Sequence, residues 1–231
     1  MLSPAKKRIV LICCVGILIW LLFRYSLGDG LMLSVESVTR IPGTPILVTV
    51  FYEALCPDSK HFITKQLVPT YRAAPSVLEV VLVPYGKAST SISSDGSLKF
   101  DCQHGPLECQ ANIYHACAIE IITDPRIRLD MVTCMIKDNR LPKEALYRCA
   151  RDYNLETADS IQKCHDTNHG SELLKLNGEL THALRPSVSF IPTITIDGAQ
   201  GKQAAILKNL MGEICKIAHG DSLVKDICTN D

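Results

Sequence analysis

The chain has 231 residues, 24 Lys plus Arg against 24 Asp plus Glu, 47% hydrophobic residues and eleven cysteines. That length supports one domain with a sizeable core, or at most two small ones, and the balanced charge argues against a nucleic-acid partner. The balance is uneven along the chain: Lys6, Lys7, Arg8 and Arg24 against Asp29 give the first thirty residues +3 and the remainder −3, and all seven histidines lie in that remainder, so acidification drives it positive.

The chain opens "MLSPAKKR" and continues "IVLICCVGILIWLLF", a basic flank before an apolar run, the layout of a secretory signal. Fifteen residues of helix span roughly 22 Å, short of the roughly 30 Å hydrocarbon core. If Arg24 snorkels, the segment reaches Leu27 and becomes an uncleaved signal-anchor, giving a type II protein; a small-residue cleavage site ends at Gly28. Residues 1–30 are thus a signal peptide or signal-anchor, a buried core helix being the plain alternative, and 31–44 a linker. Both favoured readings place the remainder in a secretory lumen.

"ILVTVFY", residues 46–52, is β-branched and aromatic and reads as a buried strand. "CPDSKHFITKQLVPTY" from Cys56 has helical spacing, with Pro57 in the first turn where its missing N–H is harmless. "VLEVVLVPYG", 77–86, is a second buried strand, so the three form a βαβ unit with parallel strands. Residues 87–100, rich in Ser and Gly, read as a loop. From Cys102 to about Leu180 the pattern is helical, broken at Pro125, Pro142 and Gly170. Strand signals return at "SVSFIPTITIDG", 187–198, where Pro192 cannot donate to a central ladder and marks a strand start; the Ile191–Pro192 bond is open to cis or to an ordinary trans turn. Asp197–Gly198 predicts a hairpin turn into a further short strand, and a helix over about 202–217 closes the fold.

Cys13 and Cys14 fall in the apolar run. The other nine, in an oxidising lumen, imply four disulfides and one leftover thiol. Eight of them lie from position 102 onward, which makes Cys56 the odd one out; the alternative is that Cys56 is paired and another is free. A local Cys215–Cys228 bridge is the preferred pair, and the remaining connectivity is open. Cys102-x6-Cys109-x7-Cys117 lacks the short paired spacings of a zinc site, so neither metal nor bound cofactor is expected.

A strand delivering Cys56 to a helix start, a helical insert and an Ile-Pro-Thr strand resembles the thioredoxin fold. Within the insert, "CQHGPLECQANIYHAC", 102–117, carries Cys102, Gln103, His104, Gly105, Glu108, Cys109, Asn112 and Cys117 at the spacing of the signature of the gamma-interferon-inducible lysosomal thiol reductase family. The resemblance covers roughly residues 45–228. It implies an α/β protein, a thioredoxin-like thiol reductase domain over 45–231 with a disulfide-rich helical insert at about 100–182. It implies an enzyme that reduces disulfides of protein substrates in lysosomal or secreted settings, with a Cys-x-x-Cys pair beside a cis-proline. Cys56 matches the attacking cysteine and Pro192 the cis-proline, which turns the expectation for Ile191–Pro192 to cis. Ser59 stands where the resolving cysteine would be, so Cys56, Ser59 and Pro192 are the candidate catalytic positions.

A thiolate is the nucleophile, and a helix start favours it. Attack by Cys56 gives a mixed disulfide that a serine hydroxyl cannot resolve. Glutathione, free cysteine or another small thiol must then serve as reductant in a monothiol mechanism, with Ser59 free to donate a hydrogen bond to the Cys56 sulfur. The competing reading is a non-catalytic thioredoxin-like binding or chaperone module. Gln103, His104, Glu108 and Asn112 are expected to hydrogen-bond within the disulfide-pinned insert, with proton donation by His104 as the alternative. The chain has no Asn-x-Ser/Thr, so a glycan-based lysosomal sorting route is closed to it; lysosome or secretion remain the expected destinations.

Overall fold

The computed structural model describes residues 15–21, 43–218 and 224–228. The basic flank, both ends of the apolar run, the cleavage site and most of the linker lie outside these residues. Residues 15–21 are helical (α1), with exposed apolar side chains. Among the described residues no helix is long and apolar enough to cross a membrane.

The β-branched run forms β1 (Ile46–Tyr52), and the next apolar run forms β2 (Leu78–Pro84). The two pair in parallel from Ile46↔Leu78 to Tyr52↔Pro84, as a βαβ unit requires. β5 (Thr193–Ile196) joins the other edge of β1, antiparallel, giving the order β2-β1-β5. β1 is therefore central; Ile46, Val48, Val50 and Tyr52 are fully buried, in one core with Phe62, Ile63, Leu67 and Ile194.

Between β1 and β2 the chain is helical from Pro57 to Ala73: α2 (Pro57–Phe62), a π-helical turn (Ile63–Leu67) and α3 (Val68–Ala73). Pro69 lacks an N–H and its ring crowds the carbonyl four residues back. The wider turn, in which Val68 N–H donates to Ile63 O, carries the helix past it.

Residues 87–100 are not a loop. They form a hairpin of β3 (Ser89–Ile92) and β4 (Leu98–Asp101), paired antiparallel with Thr90↔Phe100 in register. Its turn is closed by Asp95, whose carboxylate accepts from the N–H and Oγ of Ser97, and by Gly96 at φ 82°. The Ser-rich composition hid the alternation of Thr90 and Ile92 on one strand with Leu98 and Phe100, their cross-strand partners, on the other.

The insert is five helices: α4 (Pro106–Ile121), α5 (Pro125–Lys137), α6 (Pro142–Asp152), α7 (Ala158–Asp166) and α8 (Asn168–Ala183). Pro125 and Pro142 break the helical pattern as expected, each at the start of a new helix. Gly170 does not break one. It lies inside α8, where a Cβ would come within 2.7 Å of Ile113 Cγ2 and 2.8 Å of Cys164 O, so the missing side chain lets α8 sit against its neighbours. Disulfides join Cys102–Cys109, Cys117–Cys164 and Cys134–Cys149.

Strand structure over 187–198 is confined to β5, since Pro186 and Pro192 offer no N–H to a ladder. Both Arg185–Pro186 and Ile191–Pro192 are cis. Asp197 and Gly198 turn with φ 48° and 81°, but only an isolated Ile196–Ala199 bridge follows, not a strand; the Asp197 carboxylate instead accepts from Leu47 N–H. The closing helix is two: α9 (Gln203–Lys208) and α10 (Leu210–Ile217). They part at Asn209, whose side chain caps α10 by accepting from Gly212 N–H. α11 (Lys225–Cys228) follows, and Cys215–Cys228 bridges it to α10.

Candidate active site

β1 runs out at Tyr52, and the next four residues, Glu53 to Cys56, carry the chain to the start of α2. Cys56 is the N-cap residue, with extended φ −66° and ψ 124°. Its N–H donates to Glu53 O and its carbonyl accepts from Lys60 N–H, so the segment is a closed turn rather than a loose loop. Cys56 is the one unpaired cysteine among the described residues and is 8% exposed. Its Sγ lies 3.9 Å from Ile191 O. The cis Ile191–Pro192 step at the entry to β5 thus borders the thiol, because both adjoin ends of neighbouring strands.

Ser59 is fully buried on α2, one turn from Cys56. Its Oγ accepts from Glu53 N–H at 3.3 Å, so the serine braces the turn, and its hydroxyl hydrogen is not committed by that bond.

The insert reaches this turn through residues of the 102–117 signature. Asn112 Oδ1 on α4 accepts from Ala54 N–H at 2.9 Å. From the C-terminal end of α5, Asn139 Nδ2 donates to Ala54 O at 2.8 Å, so Ala54 is held on both backbone groups by asparagines far away in sequence. Asn139's second amide hydrogen points to His115 Nε2 at 3.2 Å. That makes Nε2 the acceptor, puts the ring proton on Nδ1, and directs it to Tyr52 Oη at 2.9 Å. His104 turns Nδ1 to carboxylates. Its Nδ1 lies 2.6 Å from Glu108 Oε2 and 3.4 Å from Glu53 Oε2. The expected bonding within the insert is therefore half the picture: His104–Glu108 is internal, whereas Asn112 grips the cysteine turn.

Glu53 is the surprise of this region. It is 1% exposed, and burial first, then the charge of Glu108, push its carboxyl up from the usual range, against the opposing pull of Lys87 N–H. Gly86, at φ +65°, makes the room: a Cβ there would fall 2.1 Å from Glu53 Cγ. The one signal in the sequence is a lone carboxylate inside an otherwise apolar "VFYEALC". Tyr52, His115 and Asn139 carried no signal of their own.

His115 is fully buried, and desolvation pushes it down to about 3, only partly offset by the Asn139 bond. The unfolded chain therefore binds more protons than the folded one from the ordinary histidine range down to about 3, and this contribution to stability is lost as pH falls through that window. We expect His115 to cost about 2 kcal/mol of folding stability between about pH 7 and about pH 5. Denaturant unfolding at both pH values, disulfides intact, should show His115→Gln less stable at neutral pH and losing less on acidification. An unchanged difference between the two pH values would refute the assignment.

Residues 47–153 match the family model described as gamma interferon inducible lysosomal thiol reductase. GILT-like protein 1 of Drosophila melanogaster is 32% identical over 201 residues, 80% of each chain. The Anopheles gambiae protein called gamma-interferon-inducible lysosomal thiol reductase-like is 38% identical over 71% of this chain and 72% of its own. The chain belongs to the gamma-interferon-inducible lysosomal thiol reductase family. Among solved structures it is similar to BdbD from Bacillus subtilis, with a TM-score of 0.57 at 14% identity over 77% of this chain and 90% of that one, a likeness that shows the thioredoxin-like fold. Family membership makes Ser59, buried one turn from Cys56, the position of interest.

Proposed function

We propose that this chain is a thiol–disulfide oxidoreductase that reduces disulfide bonds of protein substrates through Cys56 alone, an external small thiol completing the cycle. The observation that carries the reading is the lone thiol among the described residues: eight of their cysteines are spent on four disulfides and Cys56 is left free at a helix start. Cys56 thiolate attacks one sulfur of the substrate disulfide; the S–S bond breaks, a Cys56–substrate disulfide forms, and the departing thiolate takes a proton from water. A small thiolate then displaces the substrate from Cys56, and a second frees Cys56 from the resulting adduct. Two small thiols are consumed, one small-molecule disulfide is made, and the substrate gains two S–H groups.

A cavity of about 500 Å³ lies beside the turn, lined among others by Leu55, Pro57, Lys60, Lys137, Asp138 and Arg140. Asp138 pairs with Arg140, and the cations that remain, Lys60 and Lys137, suit a thiol bearing carboxylates, such as glutathione or free cysteine. The disulfide-rich insert supports an oxidising lumen, lysosomal or secreted, and the names of the relatives point the same way.

The test is a single-turnover assay on a denatured, disulfide-containing protein at acidic pH. Without small thiol, substrate should accumulate as a mixed disulfide on Cys56; glutathione should release it, faster than uncharged 2-mercaptoethanol at equal thiolate concentration. Ser59 also favours the alternative of a binding or chaperone module, and failure to form any mixed disulfide would establish that reading instead.

A further inference from the structure

Glu53, His104 and Glu108 form a second polar centre, on the face of the insert that meets the end of β1. Their nearest ligand atoms all lie within 4.8 Å of one another. Each carboxylate has one oxygen already held: Glu53 Oε1 accepts from Lys87 N–H at 2.8 Å, and Glu108 Oε1 accepts from His104 N–H at 3.0 Å. Those bonds orient the two Oε2 atoms toward His104 Nδ1, as outer-shell bonds orient metal ligands. Glu53 Oε2 is buried and makes no hydrogen bond. Two carboxylates of 1% and 0% exposure thus share one imidazole, and the buried Glu53 Oε2, which has no hydrogen bond, calls for a partner. His104 is one-third exposed, so the cluster has a mouth.

We propose that Glu53 Oε2, His104 Nδ1 and Glu108 Oε2 bind a divalent transition-metal ion of the zinc type, its remaining positions filled by water through the His104 opening. One imidazole and two carboxylates are a ligand set such ions accept, and three protein ligands leave coordination sites open. Ligand atoms about 2 Å from a common ion sit about 3 Å apart, so the 2.6 Å His104–Glu108 contact must widen slightly and Glu53 draw in. Coordination needs the Nδ1 lone pair, and any proton there leaves to solvent. The expectation of no metal rested on cysteine spacing, whereas this site uses no cysteine: Cys102 and Cys109, beside it, are bonded to each other. The other acidic–histidine group, Glu120 and His169 near Cys164, lacks these marks, since its carboxylate and imidazole are exposed and its sulfur lies in a disulfide. An ion here would tie α4 to the residue three places ahead of Cys56, so its effect would be read in the stiffness of the cysteine turn.

The test is calorimetric titration of ZnCl2 into the untagged chain carrying Cys13→Ser, Cys14→Ser and Cys56→Ser near neutral pH, so that no free thiol takes zinc, with thermal unfolding as a second readout. One equivalent should bind and raise the melting temperature. His104→Gln should weaken binding by at least about tenfold and abolish the rise; Glu108→Gln should do the same. Because the glutamates are buried and their variants can misfold, His104→Gln is the deciding variant, with unchanged circular dichroism and protected disulfides as its control. No binding to the parent, or equal affinity in a folded His104→Gln chain, would overturn the site.

Discussion

Cys56→Ser is expected to reduce mixed-disulfide formation with a protein substrate to the uncatalysed level, with or without small thiol. Serine keeps the size of the side chain but not its chemistry, since only a thiolate attacks sulfur at these rates. Among the described residues no other thiol can take over: the eight remaining cysteines are consumed in disulfides between residues 102 and 228. The substitution should also be mild structurally, because Cys56 Sγ makes one long polar contact, to Ile191 O at 3.9 Å, while its backbone groups hold the turn. Non-reducing electrophoresis and peptide mapping of trapped adducts would check it. Adducts that persist in a folded Cys56→Ser chain would move the nucleophile to a disulfide-exchanging cysteine of the insert.

The second large effect is a gain. Ser59→Cys should let substrate leave without any external thiol. Residues one helical turn apart have Cα atoms about 5–6 Å apart, inside the window for a disulfide, and the introduced sulfur would attack Cys56 within the same molecule. Intramolecular attack at that range should outpace about 1 mM glutathione by at least about tenfold. Some stability is given up, about 1 kcal/mol, because the hydroxyl that accepts from Glu53 N–H is replaced by a poorer acceptor in a fully buried site. The readout is release of reduced substrate in one turnover against glutathione concentration: flat for Ser59→Cys, rising for the parent. A parent that releases substrate equally well with no small thiol would show that resolution does not depend on position 59.

The two substitutions act on a turn whose geometry comes from elsewhere in the chain. Ala54 is gripped by Asn112 and Asn139, Glu53 is seated by the bare Gly86, and Tyr52 Oη accepts a hydrogen bond from a His115 that burial keeps neutral down to about pH 3. The signature in the insert thus has a mechanical meaning: Asn112 fixes the backbone from which Cys56 is presented, and the Cys102–Cys109 bridge holds the start of α4 from which it projects.

The amino-acid sequence by itself determined the parts ruled by local pattern and by counting. Two β-branched runs flanking a Pro-started helix made β1, α2 and β2, because strand and helix periods differ and each run has only one way to bury its apolar side. Nine cysteines beyond the apolar run, eight of them from position 102 onward, left Cys56 over, and the prolines that break the helical pattern placed α5 and α6. Only the tertiary structure decided what depends on partners far along the chain. β3 and β4 exist because Thr90 and Phe100 find each other across a turn and lean on Tyr85, not because Ser-rich segments prefer strand. Gly170 stays helical because α4 and α7 press on it, overriding its poor propensity. The hydrogen bonds behind Cys56 join residues separated by 58, 63 and 85 positions. No periodicity encodes such pairings: a polar side chain buried at long range is stable only when the whole fold brings its partner.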